Sequence, residues 1–193
     1  MGKLIDISRT LRPSLAPWPG DTRFRKETIL ALADGASVNL TTITTSSHFG
    51  THVDAPFHFV DDGATMEAVA LRPYWGRAQV VTIDKTAGPL TPADFAACDV
   101  GLAPRLLVRT PLQDVPHDTF PDAIPHPSPA LADWLGARGV ILYGTDAPSM
   151  DAIDSKEMPG HKALQRNGIL ILEGLDLTAA PDGLYDFIAM PLK

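Results

Sequence analysis

Three of the six histidines in this 193-residue chain lie within eleven residues, together with an aspartate. His48, His52, Asp54 and His58 all have even numbers, so an extended backbone would place them on one face of a strand. Imidazole and carboxylate groups without thiolates are typical of catalytic sites that hold Zn²⁺, Mn²⁺ or Fe²⁺. The cluster therefore predicts an open, catalytic metal site.

The backbone of this segment cannot remain straight if its histidines share one ion. In a regular strand the Cα atoms of His48 and His52 would be ~13 Å apart, which is too far for both rings to bind the same metal. Gly50 is the expected place for a bulge, and Pro56 is the expected end of the strand. A bend at Gly50 would bring the two histidines together.

A second set of candidate ligands is less clear from spacing alone. His161 is predicted in the first turns of a helix and Glu173 at the end of an apolar strand, so both can lie at one edge of a sheet. They are equally well interpreted as a solvated helix residue and a carboxylate paired with a lysine. Asp146, Asp151 and Asp154 are candidates for the site or for turns and caps. The site is favoured for Asp146, which follows a sheet strand.

Other reactive or aromatic side chains give weaker indications. Trp18, in the turn that ends at Asp21, either anchors its loop or forms a wall against which a substrate stacks. His117 and His126 lie beside prolines and are expected to be ordinary, satisfied core or surface residues. Cys98 is expected to be a small core or helix residue, because no base or cation near it in sequence would activate its thiol.

The elements that position these residues are predicted to be short, because 18 prolines and 15 glycines interrupt the chain. Ser128 as N-cap with proline after it predicts a helix through Arg138, followed by Gly139. A second helix is predicted over residues 159–167, closed by Gly168. The predicted strands are residues 4–7, 38–45, 78–83, 105–109, 140–143 and 169–172.

The last two predicted strands and the helix between them form a strand–helix–strand unit. These strands are continuous apolar runs, which is typical of a sheet covered on both faces. The chain length favours a single domain over residues 1–193. The predicted fold class is therefore α/β with a mixed sheet, and residues 111–129 are predicted to form an irregular connection at a rim or partner contact.

Composition limits the classes of partner. The chain is 45% hydrophobic and 20% charged, as in ordinary globular proteins. A net charge of −7 without a basic track argues against nucleic-acid binding. No apolar run approaches the ~18 residues of a membrane span, and the N-terminus lacks a leader pattern. A cytoplasmic protein with a small-molecule substrate and no membrane association is expected.

The ligand cluster also resembles a known signature. The pattern His48-x-Gly-Thr-His52-x-Asp54-x-Pro56-x-His58 is similar to that of the metal-dependent cyclase-family hydrolases, which include bacterial kynurenine formamidase (arylformamidase) and isatin hydrolase. The resemblance covers nearly the whole chain. Its further segments are residues 5–8, 18–22, 146–151, 154–156, 161, 171–174 and 189–192.

The resemblance implies metal-binding roles that spacing leaves open. His48, His52 and Asp54 would bind one divalent metal. Asp54 would bridge to a second metal, and His161 and Glu173 would complete that second site. Two Zn²⁺ ions are the expected cofactors, with Mn²⁺ as an alternative.

Further implications concern the pocket, the fold and the assembly. His58 would transfer protons beside the metals, and Trp18 would help to form an aromatic pocket. Phe120 is the candidate for a further aromatic residue expected between Arg109 and Pro129. The implied fold is a swivelling β/β/α domain, assembled as a homodimer or homotetramer with active sites near subunit contacts.

The resemblance also implies an activity. The expected reaction is amide hydrolysis, with N-formyl-L-kynurenine cleaved to L-kynurenine and formate in tryptophan degradation. An isatin hydrolase or another hydrolase of small cyclic or aryl amides is the alternative enzyme. A protein that binds a metal or small ligand without catalysis is the alternative from another class, and an intact His58 argues against it.

Overall fold

The computed structural model describes residues 2–193, and the regular structure in that range consists mostly of short strands. Two α-helices lie between the later strands. The strands are β1 (Arg25–Leu30), β2 (Leu40–Thr44), β3 (His52–Asp54), β4 (Trp75–Thr82), β5 (Gly88–Leu90), β6 (Arg105–Arg109), β7 (Pro125–Pro127), β8 (Leu142–Thr145), β9 (Leu170–Glu173) and β10 (Gly183–Ile188), and the helices are α1 (Pro129–Gly136) and α2 (Pro159–Arg166).

Six of the strands form one mixed sheet in the order β10-β4-β6-β8-β9-β3. The inner strands β4, β6, β8 and β9 are parallel, while β10 and β3 pair antiparallel at the two edges. Strands β1 and β2 form a separate antiparallel hairpin, and β5 and β7 form a short parallel pair. The prediction of a mixed α/β fold is confirmed.

Both faces of the main sheet are buried. On β6, Leu106 and Val108 belong to the core that includes residues of α1 and α2, while Leu107 belongs to a second core on the other face. Ile5 and Ile7 pack against that second core, which also includes Leu175, Leu177 and Ala180. The predicted burial of both faces is confirmed, and it explains the continuous apolar runs along these strands.

The two predicted helices are present, with small differences at their ends. The Ser128 hydroxyl caps α1 by accepting a hydrogen bond of 3.1 Å from the backbone N–H of Leu131. This helix ends at Gly136, two residues before the predicted end. Helix α2 ends at Arg166 and is followed by Gly168, which has a left-handed φ of 67°. Neither helix is long and apolar enough to span a membrane in the part of the chain described.

The first predicted strand, residues 4–7, is wrong. The segment forms no strand: the Ile7 carbonyl accepts a hydrogen bond from the Asp176 N–H at 2.9 Å, the neighbouring Ser8 makes an isolated bridge with Leu175, and Leu4 is 92% exposed. Both edges of the sheet are already occupied by β3 and β10, so the segment packs across a face instead. Hairpin strand β1 was not predicted, because all six of its residues are exposed and give no alternating burial pattern.

Candidate metal centre

Three elements bring the candidate ligands to one edge of the sheet. Strand β3 carries His52 and Asp54, and its antiparallel register places His52 opposite Glu173 at the end of β9. Helix α2 carries His161 in its first turn, above the same edge. Asp54, His161 and Glu173 are each at most 3% exposed, so the site is buried on the protein side.

A turn at Gly50 positions the remaining candidate ligand, His48. Gly50 has a φ of 75°, a backbone conformation that residues other than glycine rarely adopt. As a result the strand begins only at His52, and the His48 Nδ1 atom lies 3.1 Å from the His52 Nε2 atom. The predicted bend at Gly50 is confirmed. Phe57, which follows Pro56 at the end of this segment, is 56% exposed.

The two carboxylate oxygens of Asp54 face two separate groups of donors. Oδ1 lies 3.1 Å from His48 Nδ1 and 3.4 Å from His52 Nε2. Oδ2 lies 3.4 Å from His161 Nε2, which is also 3.4 Å from Glu173 Oε1. Asp54 therefore contacts both groups of ring nitrogens, and Glu173 Oε2 is also 3.4 Å from His52 Nε2.

These residues fit divalent cations. Ligand atoms that surround one Zn²⁺ tetrahedrally at about 2.0 Å are about 3.3 Å apart, close to the spacing of the donors here. Both oxygens of Asp54 and Oε1 of Glu173 are buried and accept no well-formed hydrogen bond among the described residues, although ring nitrogens lie 3.1–3.4 Å from them. Buried carboxylates without partners are costly, and a bound cation would satisfy them.

Hydrogen bonds on the far side of two rings orient their free nitrogens toward the centre. His52 Nδ1 donates to the Gly50 carbonyl at 3.1 Å, and His161 Nδ1 donates to Asp151 Oδ2 at 2.7 Å. Asp151 also accepts the backbone N–H groups of Gly160 and His161, at 2.7 and 3.1 Å. Such partners fix the tautomer of a metal-binding histidine, so Asp151 is placed to orient the His161 ring.

The electrostatics of the cluster favour ionised carboxylates. Burial opposes ionisation of Asp54, yet the contacts from His161, His48 and His52 hold its pKa far below the usual value. Burial lowers the pKa of His52, but Asp54 and Glu173 raise it to about 10. The pKa of His161 is likewise raised to about 11, against burial, by Asp151, Asp54 and Glu173. Metal binding must therefore displace protons from these rings.

His58 lies beside the donors but is held differently. It ends a short 3₁₀ helix, Pro56–His58, and its ring lies against that of His48 with centroids 3.9 Å apart. Ligand atoms of His48, Asp54 and His58 lie within 4.8 Å of one another. In the described chain, however, His58 has none of the close carboxylate contacts of the other three rings. Burial lowers its pKa, which favours the neutral imidazole.

A cavity of about 290 Å³ opens above the donors. Trp18 and Phe120 line it and contact each other edge to face, with ring centroids 5.2 Å apart. Their side chains come from different loops, which a hydrogen bond of 2.9 Å from the Ala16 N–H to the His117 carbonyl ties together. His117, which was expected to be an ordinary core or surface residue, is half-buried and lines the cavity.

Sequence comparison places this arrangement in a known group of proteins. The sequence profile of the Cyclase family matches residues 5–152, more than half of the chain. The chain belongs to the Cyclase family.

Similar cyclase-family proteins cover almost all of the chain. It is 42% identical over 191 residues to a kynurenine formamidase of Salinibacter ruber, covering 98% of this chain and 90% of the relative. It is 41% identical over 192 residues to a kynurenine formamidase of Erythrobacter litoralis, covering 99% and 87%.

Solved structures show the same fold. The structure of a potential metal-dependent hydrolase with cyclase activity superposes with a TM-score of 0.83 at 26% identity, covering 98% of this chain and 90% of the other. Isatin hydrolase A from Labrenzia aggregata shares the fold, with a TM-score of 0.75 at 24% identity, covering 98% and 88%. The predicted cyclase-like α/β fold is confirmed.

Several candidate residues lie outside the donor cluster of this cyclase-family chain. Asp146 is buried and accepts hydrogen bonds from the Thr110 N–H at 2.6 Å and hydroxyl at 2.9 Å, and burial raises its pKa to about 6. Asp154 is exposed. His126 was expected to have its hydrogen bonds satisfied, but its Nδ1 is buried without a partner among the described residues. Cys98 is partly buried against the core, close to the expectation.

Two charged residues that line the cavity were not assigned to it from the sequence. Arg9 and Asp21 both line the cavity beside the metal donors. Arg9 lies just after the predicted strand 4–7, and Asp21 ends the turn that starts at Trp18. Isolated charged residues in turn-rich segments are usually solvated, so nothing in the local pattern marked them.

Proposed function

We propose that this chain is an arylformamidase that hydrolyses N-formyl-L-kynurenine to L-kynurenine and formate. The observation that carries the proposal is the double donor group around Asp54 at the base of a cavity with aromatic walls. The kynurenine formamidases at 37–42% identity, each aligned over 97–99% of this chain, support this choice of substrate. Hydrolysis of a C–N bond outside a peptide is the reaction class.

The donor set supports two divalent ions per chain, with Zn²⁺ as the expected metal and Mn²⁺ as the alternative. His48, His52 and one oxygen of Asp54 would hold the first ion. The second oxygen of Asp54, with His161 and Glu173, would hold the second. When bound, such ions make water a stronger nucleophile near neutral pH and polarise a carbonyl group. Nitrogen and carboxylate donors without cysteine suit this catalytic use.

His58 is proposed to move the proton during hydrolysis. Water adds to the formyl carbon, the C–N bond breaks, and the proton lost by water must reach the arylamine nitrogen. The neutral ring of His58, which burial favours, can accept that proton and then return it. The ring of His58 lies beside that of His48 at the donor cluster and makes no close carboxylate contact among the described residues that would stabilise its protonated form.

Trp18 and Phe120 are proposed to hold the aromatic ring of the substrate. Both side chains are half-buried and line the same cavity as the donors. Aromatic side chains arranged edge to face offer flat apolar surface at little conformational cost. An aryl formamide held between them would direct its formyl group toward the cluster at the base.

The proposal is tested by measuring formate and kynurenine release from N-formyl-L-kynurenine with purified protein loaded with Zn²⁺ or Mn²⁺. Turnover that disappears after chelation and returns with metal is expected. Activity on isatin or another cyclic amide, without activity on the formamide, would contradict the proposal and favour the alternative enzyme. Metal binding without turnover on any of a broad amide panel would favour a binding protein.

A homodimer or homotetramer is proposed as the working assembly. The β1–β2 hairpin makes no strand pairing with the main sheet and exposes apolar side chains, and an isolated two-stranded hairpin is only marginally stable in water. Contact with a second copy would cover these residues. Light scattering on the protein and on Ile43→Asp tests this, because the substitution should shift the population toward monomer. The exposed side chains include Ile29 at 50%, Leu40 at 49% and Ile43 at 58% exposure.

A further inference from the structure

Arg9 is the only lysine or arginine that lines the cavity within residues 2–193. The other charged groups that line it are carboxylates, such as Glu173 and Asp21, and titratable histidines. The chain as a whole carries a net charge of −7. A single guanidinium in such a cavity is the one permanent cation available to an anionic part of a substrate.

The guanidinium is only partly satisfied by the protein. Nη2 donates to the backbone carbonyl of Asp146 at 2.7 Å. Nε is buried without an acceptor among the described residues, and Arg9 forms no ion pair with a carboxylate there. Burial lowers its pKa, against the opposing effect of the Asp146 and Asp176 carboxylates. A desolvated cation without a paired anion gains strongly from binding one.

The backbone fixes Arg9 next to the metal donors. Its N–H donates to the Thr51 hydroxyl at 2.8 Å, and that hydroxyl donates to the Gly174 carbonyl at 2.6 Å. Thr51 precedes His52, and Gly174 follows Glu173. The side chain therefore starts at the two strands that carry the donors, and Nη2 is held at the turn after β8. Such anchoring preorganises the guanidinium for a ligand.

We propose that Arg9 binds the α-carboxylate of the substrate and thereby selects formanilides that carry an amino-acid group over uncharged formanilides. This inference rests on the proposed function, because it takes an N-formylated aromatic amino acid as the substrate. In this arrangement the formamide end of the molecule lies at the donor cluster, and the aromatic pair contacts its ring. Arg9 binds the anionic end. Arg9 is thus a specificity-determining residue that leaves the bond-breaking step to other groups.

The test compares two substrates that share the aryl formamide and the ketone. N-formyl-L-kynurenine carries the amino-acid group, and 2′-formamidoacetophenone lacks it. For Arg9→Met, kcat/KM should fall about 10- to 150-fold on the first substrate, mainly through KM, because a charge-assisted hydrogen-bond pair is lost. On the second substrate the change should stay within about twofold. Arg9→Lys should recover part of the loss, since it keeps the charge without the planar fork.

Arg12→Met is the matched control, because Arg12 is exposed on the same segment and does not line the cavity. It should leave both substrates unaffected. Binding of the product supplies a readout apart from turnover. By calorimetry, Arg9→Met should weaken L-kynurenine binding and leave 2′-aminoacetophenone binding unchanged.

Three results would overturn the inference. Equal losses on both substrates would show that Arg9 only supports the fold. No loss on either substrate would remove its role in binding while the proposed function stands. A wild-type protein that hydrolyses neither formamide would remove the proposed function and this inference with it.

Discussion

The base and the wall of the cavity are built in different ways. At the base, β3, β9 and α2 supply His52, Asp54, Glu173 and His161, and these side chains are held by strand register and buried hydrogen bonds. At the wall, Trp18 and Phe120 come from loops and are half-buried. The regular elements position the candidate metal donors, while loop residues form the wall that a bound amide would contact.

Asp54→Asn should abolish both metal binding and turnover at the base of the cavity. The substitution keeps the size of the side chain but removes the charge and one of the two oxygens that face the donor groups. Loss of metal chemistry is worth several kcal/mol, so turnover should fall by more than about 1000-fold. Metal content, measured by mass spectrometry, should fall as well. Full activity and metal content in this variant would contradict the bridging role of Asp54.

His58→Ala should separate proton transfer from metal binding. We expect kcat to fall about 100-fold or more while metal content stays at the wild-type level. The ring of His58 lies near the donors but makes none of their carboxylate contacts in the described chain. Loss of metal in this variant would instead identify His58 as a ligand, as its proximity to His48 and Asp54 allows.

The pH dependence gives a second test of His58. Burial lowers its pKa below the ordinary value of 6.5, and only the neutral ring can accept a proton. The wild-type kcat/KM should therefore hold down to pH values below 6.5 and then decline as the ring becomes protonated. His58→Ala should lose this acid limb, and an unchanged limb would assign it to another group.

Asp151→Asn should weaken metal binding at the base of the cavity without removing a candidate ligand. Asp151 holds His161 through the 2.7 Å contact with Nδ1, so the amide should weaken metal binding about 10- to 100-fold. Asp154→Asn is the matched control, since Asp154 is exposed. Competition with a chromogenic chelator measures both. Equal affinities in the two variants would exclude a positioning role for Asp151.

Substitution of the wall should have the smallest effect. Trp18→Leu or Phe120→Leu removes one partner of the edge-to-face pair, and KM for N-formyl-L-kynurenine should rise about 3- to 10-fold. Metal content should not change. If either variant lost metal, the base and the wall would not be independent. An unchanged KM would exclude the aromatic pair from substrate binding.

The fold was predictable where burial leaves a pattern along the chain. Strand β6 appears at the predicted residues, and α1 begins after the predicted Ser128 cap. The apolar segment 4–7 failed as a strand because alternation shows that side chains are buried, while strand formation requires a free sheet edge. The prediction missed the hairpin strand β1 for the opposite reason, because this strand forms without a buried face.

The sequence by itself determined which types of side chain form the donor segment at the base of the cavity and where its backbone bends. Four ligand-type residues of equal parity, with a glycine and a proline among them, predicted a bent metal-binding segment, and Gly50 provides that bend. The types of side chain and the backbone freedom of glycine are local properties, so they can be recognised without the fold.

Only the tertiary structure decided which distant residues join that segment. Asp151 lies ten residues from the ring it orients, and Arg9 lies 137 residues from the carbonyl that holds it. Trp18 and Phe120 meet across two loops. These contacts depend on strand order and loop packing, which involve residues far apart in the chain and leave no regular spacing within any one segment.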